Sequence, residues 1–290
     1  MSDNNATWTI GSCLAWTEQR LAQNHEENPR LAAQWLLSYA TGLQRIELYM
    51  HFDKPMSDEQ RRTLRDAIQR RERNEPLQYI TGKAQFRYIE LNITPGVLIP
   101  RPETELLVDL VAQTSPHHVL EIGTGSGAIA LALLHELPNC CVVATDIAPE
   151  AIALTSQNAA KLGLNDPERL TLLQDDLATS FQNNVEKPTL FDAVVSNPPY
   201  VPSLELLSLP DEVKDYEPML ALDGGADGLE LFRRILPQAY ALLNHGGLLA
   251  VELHETRLEA ASELAENAGF HDVTTHFDLT NRPRFLTATR

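Results

Sequence analysis

Residues 119–127, VLEIGTGSG, place a short apolar strand directly before three closely spaced glycines. Glycines permit a tight turn and let a ligand lie against the backbone, and the helix that follows offers free N–H groups. The same alternation of strand and helix continues to residue 268. It predicts an α/β fold with a mostly parallel sheet covered by helices on both faces, whose ligands bind beyond the carboxyl ends of the strands.

The alternating pattern also predicts the individual elements of this sheet. Strands are expected at 119–123, 141–146, 170–174, 191–197 and 247–253, with a closing hairpin at 272–277 and 284–289. Helices are expected at 128–137, 149–162, 229–243 and 255–268. The expected sheet therefore has seven strands.

The first 75 residues are predicted to be helical. Asn28 and Pro29 begin a helix that ends at Gly42, with Leu31, Trp35, Leu36 and Tyr39 on one face. Ser57 and Gln60 form a capping box for the next helix. That helix carries a series of arginines: Arg61, Arg62, Arg65, Arg70, Arg71 and Arg73. We interpret the series as a solvated face; the alternative is a docking surface for a macromolecular substrate.

A connecting region joins the helical part to the alternating part. Residues 84–94 are predicted to form a strand pair. Pro102 is expected in the first turn of a helix whose apolar face includes Leu106, Leu107 and Leu110.

Composition narrows the class of protein. The 290 residues carry a net charge of −17 and only three cysteines. No apolar stretch is long enough for a membrane span, and the first residues do not resemble a secretory signal, so we expect a reducing, cytoplasmic setting without membrane contact. Almost all of the net negative charge lies after residue 75, in a part of the chain with 29 acidic and 13 basic residues. A strongly acidic region makes nucleic acid an unfavourable main partner.

The glycine-rich turn predicts the class of cofactor. Gly123, Gly125 and Gly127 are spaced G-x-G-x-G, whereas the nicotinamide fingerprint is G-x-G-x-x-G. Glu121 precedes the turn, and its carboxylate would repel a diphosphate. The same carboxylate suits the ammonium and sulfonium groups of S-adenosylmethionine, whose product is S-adenosylhomocysteine. No metal is expected.

Acidic residues at two further strand ends support this interpretation. Asp146 ends the second strand and is expected to accept the ribose hydroxyl protons. Asp175 and Asp176 end the third, and one of them is expected to accept from the adenine amino group. The predicted cofactor residues are Glu121, Gly123, Thr124, Gly125, Ser126, Gly127, Asp146, Ile147, Asp176, Leu177 and Asn197.

Asn197-Pro198-Pro199-Tyr200 ends the fourth strand and predicts the substrate group. A planar NH₂ group is a poor nucleophile because its lone pair is delocalised. The Asn197 side chain and the Pro198 backbone each offer a carbonyl to its N–H groups, Pro199 stiffens the turn, and Tyr200 can pack on the flat group. A plain proline turn is the bland alternative. Adenine N6 and a glutamine amide both present such a group, and the tetrapeptide does not choose between them.

Several motifs, in order along the chain, resemble the peptide-chain release factor glutamine methyltransferases. They are EPLQYITG at 75–82, LIPRPETE at 98–105, the glycine loop, NPPY at 197–200, YEP at 216–218, and the residues Ala221, Leu222, Gly224, Gly225, Asp227, Gly228 and Leu229. A sister family that methylates a glutamine in a ribosomal protein shares NPPY. It usually lacks the 101–105 stretch and ranks second.

This resemblance implies a substrate and a domain organisation. The substrate is the glutamine of the Gly-Gly-Gln loop in class I release factors, which act in translation termination. The domains are a substrate-recognising helical bundle at 1–78, a β-hairpin linker at 79–97 and a Rossmann-like methyltransferase domain at 98–290. The 101–105 stretch implies further substrate-side residues, namely Arg101, Glu103 and Thr104.

The chain departs from the family pattern at two places. Glu252-Leu-His254 stands where members often have Glu-x-Gly, and Leu177 stands where Trp is common, which implies weaker stacking on adenine. His254-Glu255 begins like a zinc-protease helix, but position 258 is Leu where a second His is required.

Overall fold

A computed structural model describes residues 8–182 and 190–290 of the chain. Residues 1–7, where the predicted first domain begins, lie outside the described residues. The chain divides into two compact units between Gly82 and Lys83, and each is described by itself.

The first unit is a bundle of short helices. They are α1 (Ile10–Gln23), α2 (Pro29–Thr41), α3 (Arg45–Met50), α4 (Asp58–Arg71) and α5 (Leu77–Thr81). The predicted caps are confirmed: Asn28 accepts from the Leu31 N–H at 3.2 Å, and the Ser57 hydroxyl accepts from Gln60 N–H at 3.1 Å. Gly42 ends α2 with a left-handed φ of 72°.

The predicted apolar face of α2 is wrong in part. Tyr39 is 43% exposed, and Trp35 is half-buried. The face that enters the bundle core consists of Ala32, Ala33, Leu36, Leu37 and Ala40. Alanines occupy three of these positions, so large aromatic side chains do not identify the buried stripe.

The second unit contains the predicted seven-stranded sheet, which is confirmed. Its strands are β3 (His118–Ile122), β4 (Cys141–Asp146), β5 (Leu170–Gln174), β6 (Phe191–Ser196), β7 (Leu243–Glu252), β8 (His271–Phe277) and β9 (Pro283–Thr289). They lie in the order β5-β4-β3-β6-β7-β9-β8, and β9 pairs antiparallel with both of its neighbours, β7 and β8. The pairs from β5 to β7 are parallel. From β3 to β5 the chain adds strands toward one side of the sheet, and from β6 onward it adds them toward the other side. Ligands of such folds bind at this switch point between β3 and β6.

A hairpin of β1 (Lys83–Phe86) and β2 (Ile89–Asn92) precedes the sheet, as predicted. The helices of this unit are α6 (Glu105–Ala112), α7 (Ala128–Glu136), α8 (Pro149–Leu162), α9 (Thr179–Gln182), α10 (Asp211–Lys214), α11 (Glu230–Leu242) and α12 (Leu258–Asn267). Two 3₁₀ turns, Leu206–Ser208 and Met219–Ala221, were not predicted, because each is a single short turn without a periodic pattern.

The start of α6 corrects a further expectation. Pro102 lies in the turn before the helix, whose first residue is Glu105. The buried face consists of Leu107, Val108 and Val111, and Leu106 and Leu110 are only half-buried. The turn therefore keeps Thr104 outside the helix and buried.

Within the described ranges, every helix is too short or too polar to cross a bilayer. Residues 8–182 and 190–290 also bring no three metal-ligating side chains together.

Candidate active site

A cavity of about 540 Å³ opens at the carboxyl ends of β3, β4, β5 and β6. Most of the predicted site residues line it: Glu121, Gly123, Thr124, Gly125, Ser126, Asp146, Ile147, Asp176, Leu177, Asn197, Pro198, Pro199, Arg101 and Thr104. Gly127, Glu103 and Tyr200 do not line it. A cavity of this size accommodates a cofactor-sized molecule.

The turn after β3 has the backbone geometry that only glycine adopts easily. Gly123, Gly125 and Gly127 have φ angles of 80°, 56° and 84°. The Asp146 carboxylate accepts from the Gly125 N–H and from the Ala148 N–H, both at 2.9 Å. Asp146 therefore connects the turn to β4, and its remaining lone pairs are available to a ligand.

Gly127 supports the turn from behind. A Cβ at this position would lie 2.8 Å from the Thr155 methyl carbon on α8. The Thr155 hydroxyl in turn donates to the Gly125 carbonyl at 3.1 Å. Gly127 thus lets α8 pack closely against the turn, which explains why it is outside the cavity lining.

Glu121 is buried at the base of the cavity, with 1% of its surface exposed. Its carboxyl group accepts from the Thr124 hydroxyl at 2.7 Å. Burial, with the nearby charge of Asp146, raises the pKa of Glu121 to about 8. This carboxyl is therefore mostly protonated at neutral pH, and a cationic ligand would favour its ionised form.

We expect Glu121→Gln to change how stability depends on pH. The pKa of Glu121 rises from 4.5 to about 8 on folding, so the carboxyl opposes folding increasingly as pH rises between these values. The variant lacks this term, so it should gain roughly 4 kcal/mol relative to the parent between pH 4.5 and pH 9. Urea unfolding across this range measures the difference. A constant difference would mean that Glu121 is ionised in the folded protein.

The acidic pair after β5 is divided between two roles. Asp175 accepts from the Thr179 and Ser180 hydroxyls, both at 2.7 Å, and so stabilises the start of α9. Asp176 pairs with Arg234 on α11 at 2.6 Å. Leu177 follows with a left-handed φ of 61°, which turns the chain sharply at the cavity wall.

Asn197 is oriented by a hydrogen-bonded chain. Its side-chain NH₂ donates to the Thr104 hydroxyl at 3.1 Å, and that hydroxyl donates to Glu252 at 2.6 Å. The amide oxygen of Asn197 thus points away from Thr104, and among the described residues it accepts no hydrogen bond. Pro198 and Asn197 line both the main cavity and a second cavity of about 300 Å³.

Comparison with known proteins identifies the family. Residues 12–82 match the model of the PrmC N-terminal domain, and residues 102–208 match the methyltransferase small domain. The release factor glutamine methyltransferase of Geobacter sulfurreducens is 43% identical over 96% of this chain and 95% of its own. The chain belongs to the release factor glutamine methyltransferase family.

A second relative agrees with this assignment, and a solved structure shares the fold. The family member from Moorella thermoacetica is 41% identical over 90% of this chain and 91% of its own. A crystal structure of a methyltransferase from Pyrococcus furiosus is similar in fold, with a TM-score of 0.50, 22% identity, and coverage of 69% of this chain and 87% of that chain.

Two buried carboxylates of this family member lie beside the site. Neither of them was predicted as a site residue. Glu252 ends β7 and accepts from Tyr200 as well as Thr104. Glu217 pairs with Arg101 at 2.6 Å and holds the 216–218 segment beside the cavity. The available signal in the sequence was that both residues are acidic and lie in family motifs. Carboxylates are rarely buried without a partner, so a buried acidic residue indicates a paired group.

The glycines that follow NPPY hold a second segment against this turn. A Cβ at Gly224 would lie 2.7 Å from the Tyr200 Cα, and a Cβ at Gly228 would lie 2.4 Å from the Tyr200 carbonyl oxygen. The Gly224 N–H also donates to the Val201 carbonyl at 2.9 Å, and the Val201 N–H donates to the Leu222 carbonyl at 3.0 Å. The family motif at 224–228 is thus explained by close packing against residues 199–201.

Proposed function

We propose that this protein transfers a methyl group from S-adenosylmethionine to the side-chain amide nitrogen of the glutamine in the Gly-Gly-Gln loop of class I release factors. The observation that carries the proposal is the orientation of Asn197 at the junction of the two cavities. The Asn197 amide oxygen and the Pro198 carbonyl form a pair of acceptors for one planar NH₂ group.

The residues around the main cavity fit S-adenosylmethionine. The glycine turn lets a ligand approach the backbone, Asp146 has lone pairs for the ribose hydroxyls, and Glu121 can ionise opposite a cation. When bound, this cofactor supplies a methyl group on a positively charged sulfur. We assign the amino-acid end of the cofactor to the Glu121 side and the adenine to the wall at Asp176 and Leu177.

Asn197 and Pro198 contribute positioning and electrostatics. By accepting both N–H groups of the substrate amide, their oxygens raise electron density on its nitrogen and aim it at the methyl carbon. Transfer would form one N–C bond and break the carbon–sulfur bond of the cofactor, whose electron pair would stay on sulfur. The nitrogen becomes acidic and releases one proton, so a strong base is not required.

The alternatives differ in substrate. A ribosomal-protein glutamine presents the same amide, and an adenine N6 presents a similar planar NH₂ group. After residue 75 the chain has 29 acidic and 13 basic residues, and this negative charge disfavours binding of a long nucleic-acid strand. The release factor is therefore the favoured partner, which agrees with the cytoplasmic setting expected from cysteine usage.

Transfer of a radiolabelled methyl group tests the proposal. The chain is incubated in parallel with a class I release factor, a large-subunit ribosomal protein fraction and DNA. A release factor whose loop glutamine is replaced by alanine is the matched control. We expect label only in the intact release factor; label in the DNA or ribosomal fraction instead would reverse the ranking.

We further propose that the helical unit recognises the release factor outside its glutamine loop. The support is the match of residues 12–82 to the model of the PrmC N-terminal domain, which is separate from the match of the methyltransferase domain. Comparing intact release factor with a peptide of the loop tests this role, because only the intact protein can contact the helical unit. A similar KM for both substrates would contradict it.

The arginines of α4 are not expected to supply this recognition. Arg70 pairs with Glu75 at 2.5 Å and Arg71 with Glu26 at 2.5 Å, so both stabilise the bundle itself. Arg62 and Arg65 are exposed. We expect the charge reversal Arg62→Glu/Arg65→Glu to leave kcat and KM for intact release factor within about twofold, since exposed charges contribute little. A large rise in KM for the intact protein alone would instead assign docking to this face.

A further inference from the structure

The buried hydrogen-bonded chain behind Asn197 has a direction that its chemistry determines. Glu252 is fully buried, and each of its oxygens faces one hydroxyl, Thr104 at 2.6 Å and Tyr200 at 3.0 Å. In its ionised form the Glu252 carboxylate only accepts hydrogen bonds, so both hydroxyls then donate to it. The Thr104 oxygen then has only lone pairs left for Asn197.

The direction of this chain decides which end of the Asn197 amide faces the substrate. Because Thr104 can only accept from it, Asn197 must turn its NH₂ group to Thr104. The two ends of an amide have nearly the same shape, and hydrogen-bond partners alone distinguish them. With the opposite orientation, an NH₂ group would meet the NH₂ group of the substrate and repel it.

We propose that Thr104 and Glu252 are positioning residues for methyl transfer, because the Glu252 carboxylate, acting through the Thr104 hydroxyl, holds the Asn197 amide oxygen toward the substrate nitrogen. This inference rests on the proposed function. Thr104 lies 148 residues from Glu252 in sequence, so this hydrogen-bonded arrangement exists only in the folded protein. Neither residue needs to touch the reacting atoms.

Protonation of Glu252 would reverse the direction of the hydrogen bonds from Asn197 through Thr104 to Glu252. A protonated carboxyl can donate to Thr104, Thr104 can then donate to Asn197, and the amide turns over. The groups that face Glu252 are the Thr104 and Tyr200 hydroxyls, Arg284 on β9, and Glu103 before α6. Burial raises the pKa of Glu252, and Arg284 opposes that rise. The rate at saturating cofactor should therefore fall on the acid side of a Glu252 titration.

Thr104→Val tests the proposal, with Thr104→Ser as the conservative partner. Valine keeps the shape of threonine and removes the hydroxyl, whereas serine retains it. We expect kcat on intact release factor to fall at least tenfold in Thr104→Val, with KM and cofactor affinity within about threefold. Thr104→Ser should recover kcat to within about threefold. Thr17→Val is the matched control, because Thr17 is fully buried in the helical unit and its hydroxyl has no partner among the described residues.

A pH profile and a spectroscopic signal separate positioning from a structural role. The parent and Thr104→Ser should share an acid limb in kcat that is missing from Thr104→Val. In the parent, the side-chain NH₂ resonance of Asn197 should shift through the same titration. A smaller fall in kcat, or the same acid limb in all three proteins, overturns the proposal. If the parent itself labels no release factor glutamine, the proposed function fails, yet the Asn197 resonance still tests the orientation.

Discussion

Asn197→Ala should lower kcat on release factor by about 1000-fold while leaving cofactor affinity within about tenfold, or about 1.4 kcal/mol. The variant removes the side-chain acceptor and leaves the Pro198 carbonyl alone to hold the substrate amide. Because most of the cavity wall comes from the glycine turn and the ends of β4 and β5, the cofactor should still bind. Single-turnover methyl transfer measures the rate, and titration calorimetry measures the affinity.

Asn244→Ala is the matched control for this loss. Asn244 is half-buried like Asn197, and its NH₂ group donates to Asp192 at 2.9 Å. It lies at the start of β7, at the opposite edge of the sheet from the cavity. The control variant should keep kcat within about twofold. Near-normal turnover in Asn197→Ala, or an equal loss in both variants, would refute the role of Asn197 as acceptor.

Gly228→Ala should be the most damaging of the glycine substitutions near the site. Its φ of 77° already disfavours alanine, and the added Cβ would lie 2.4 Å from the Tyr200 carbonyl oxygen. Relief requires moving backbone at the turn that presents Pro198 and Pro199. We expect a loss of about 3 kcal/mol in the free energy of unfolding and about 100-fold in kcat.

Gly246→Ala separates the two causes. Gly246 has a φ of 78°, nearly the same as Gly228, but a Cβ there would meet no atom within 4 Å. This variant has only the conformational penalty, about 1 kcal/mol, and should keep full activity. Urea unfolding and kcat are measured on both. Equal losses in the two variants would show that the close approach to Tyr200 is unimportant.

The polar residues behind the turn show where prediction from sequence stopped. Tyr200 was expected to pack on a flat substrate group. In the structure its hydroxyl also donates a hydrogen bond to Glu252. Arg101 was expected on the substrate side, and the structure pairs its charge with the buried Glu217. In both cases both residues were noticed in the sequence, but their pairing was not predicted, because they are distant in sequence.

Local signals in the sequence determined most of the elements and the ends of several of them. The runs at 141–146, 149–162 and 170–174 became β4, α8 and β5 with those bounds, because apolar periodicity, proline and glycine act within a few residues. The glycine turn and the carboxylates at strand ends likewise indicated the place of the cavity. Parallel strands bring such ends to one edge whatever their detailed packing.

Tertiary structure alone decided how the site residues are oriented. The direction of the Asn197 amide depends on Thr104 and Glu252, which meet across 93 and 148 residues of chain. The buried faces of α2 and α6 likewise depend on the elements packed against them. Orientation follows from which donor meets which acceptor, and folding brings those partners together from segments that carry no local record of each other.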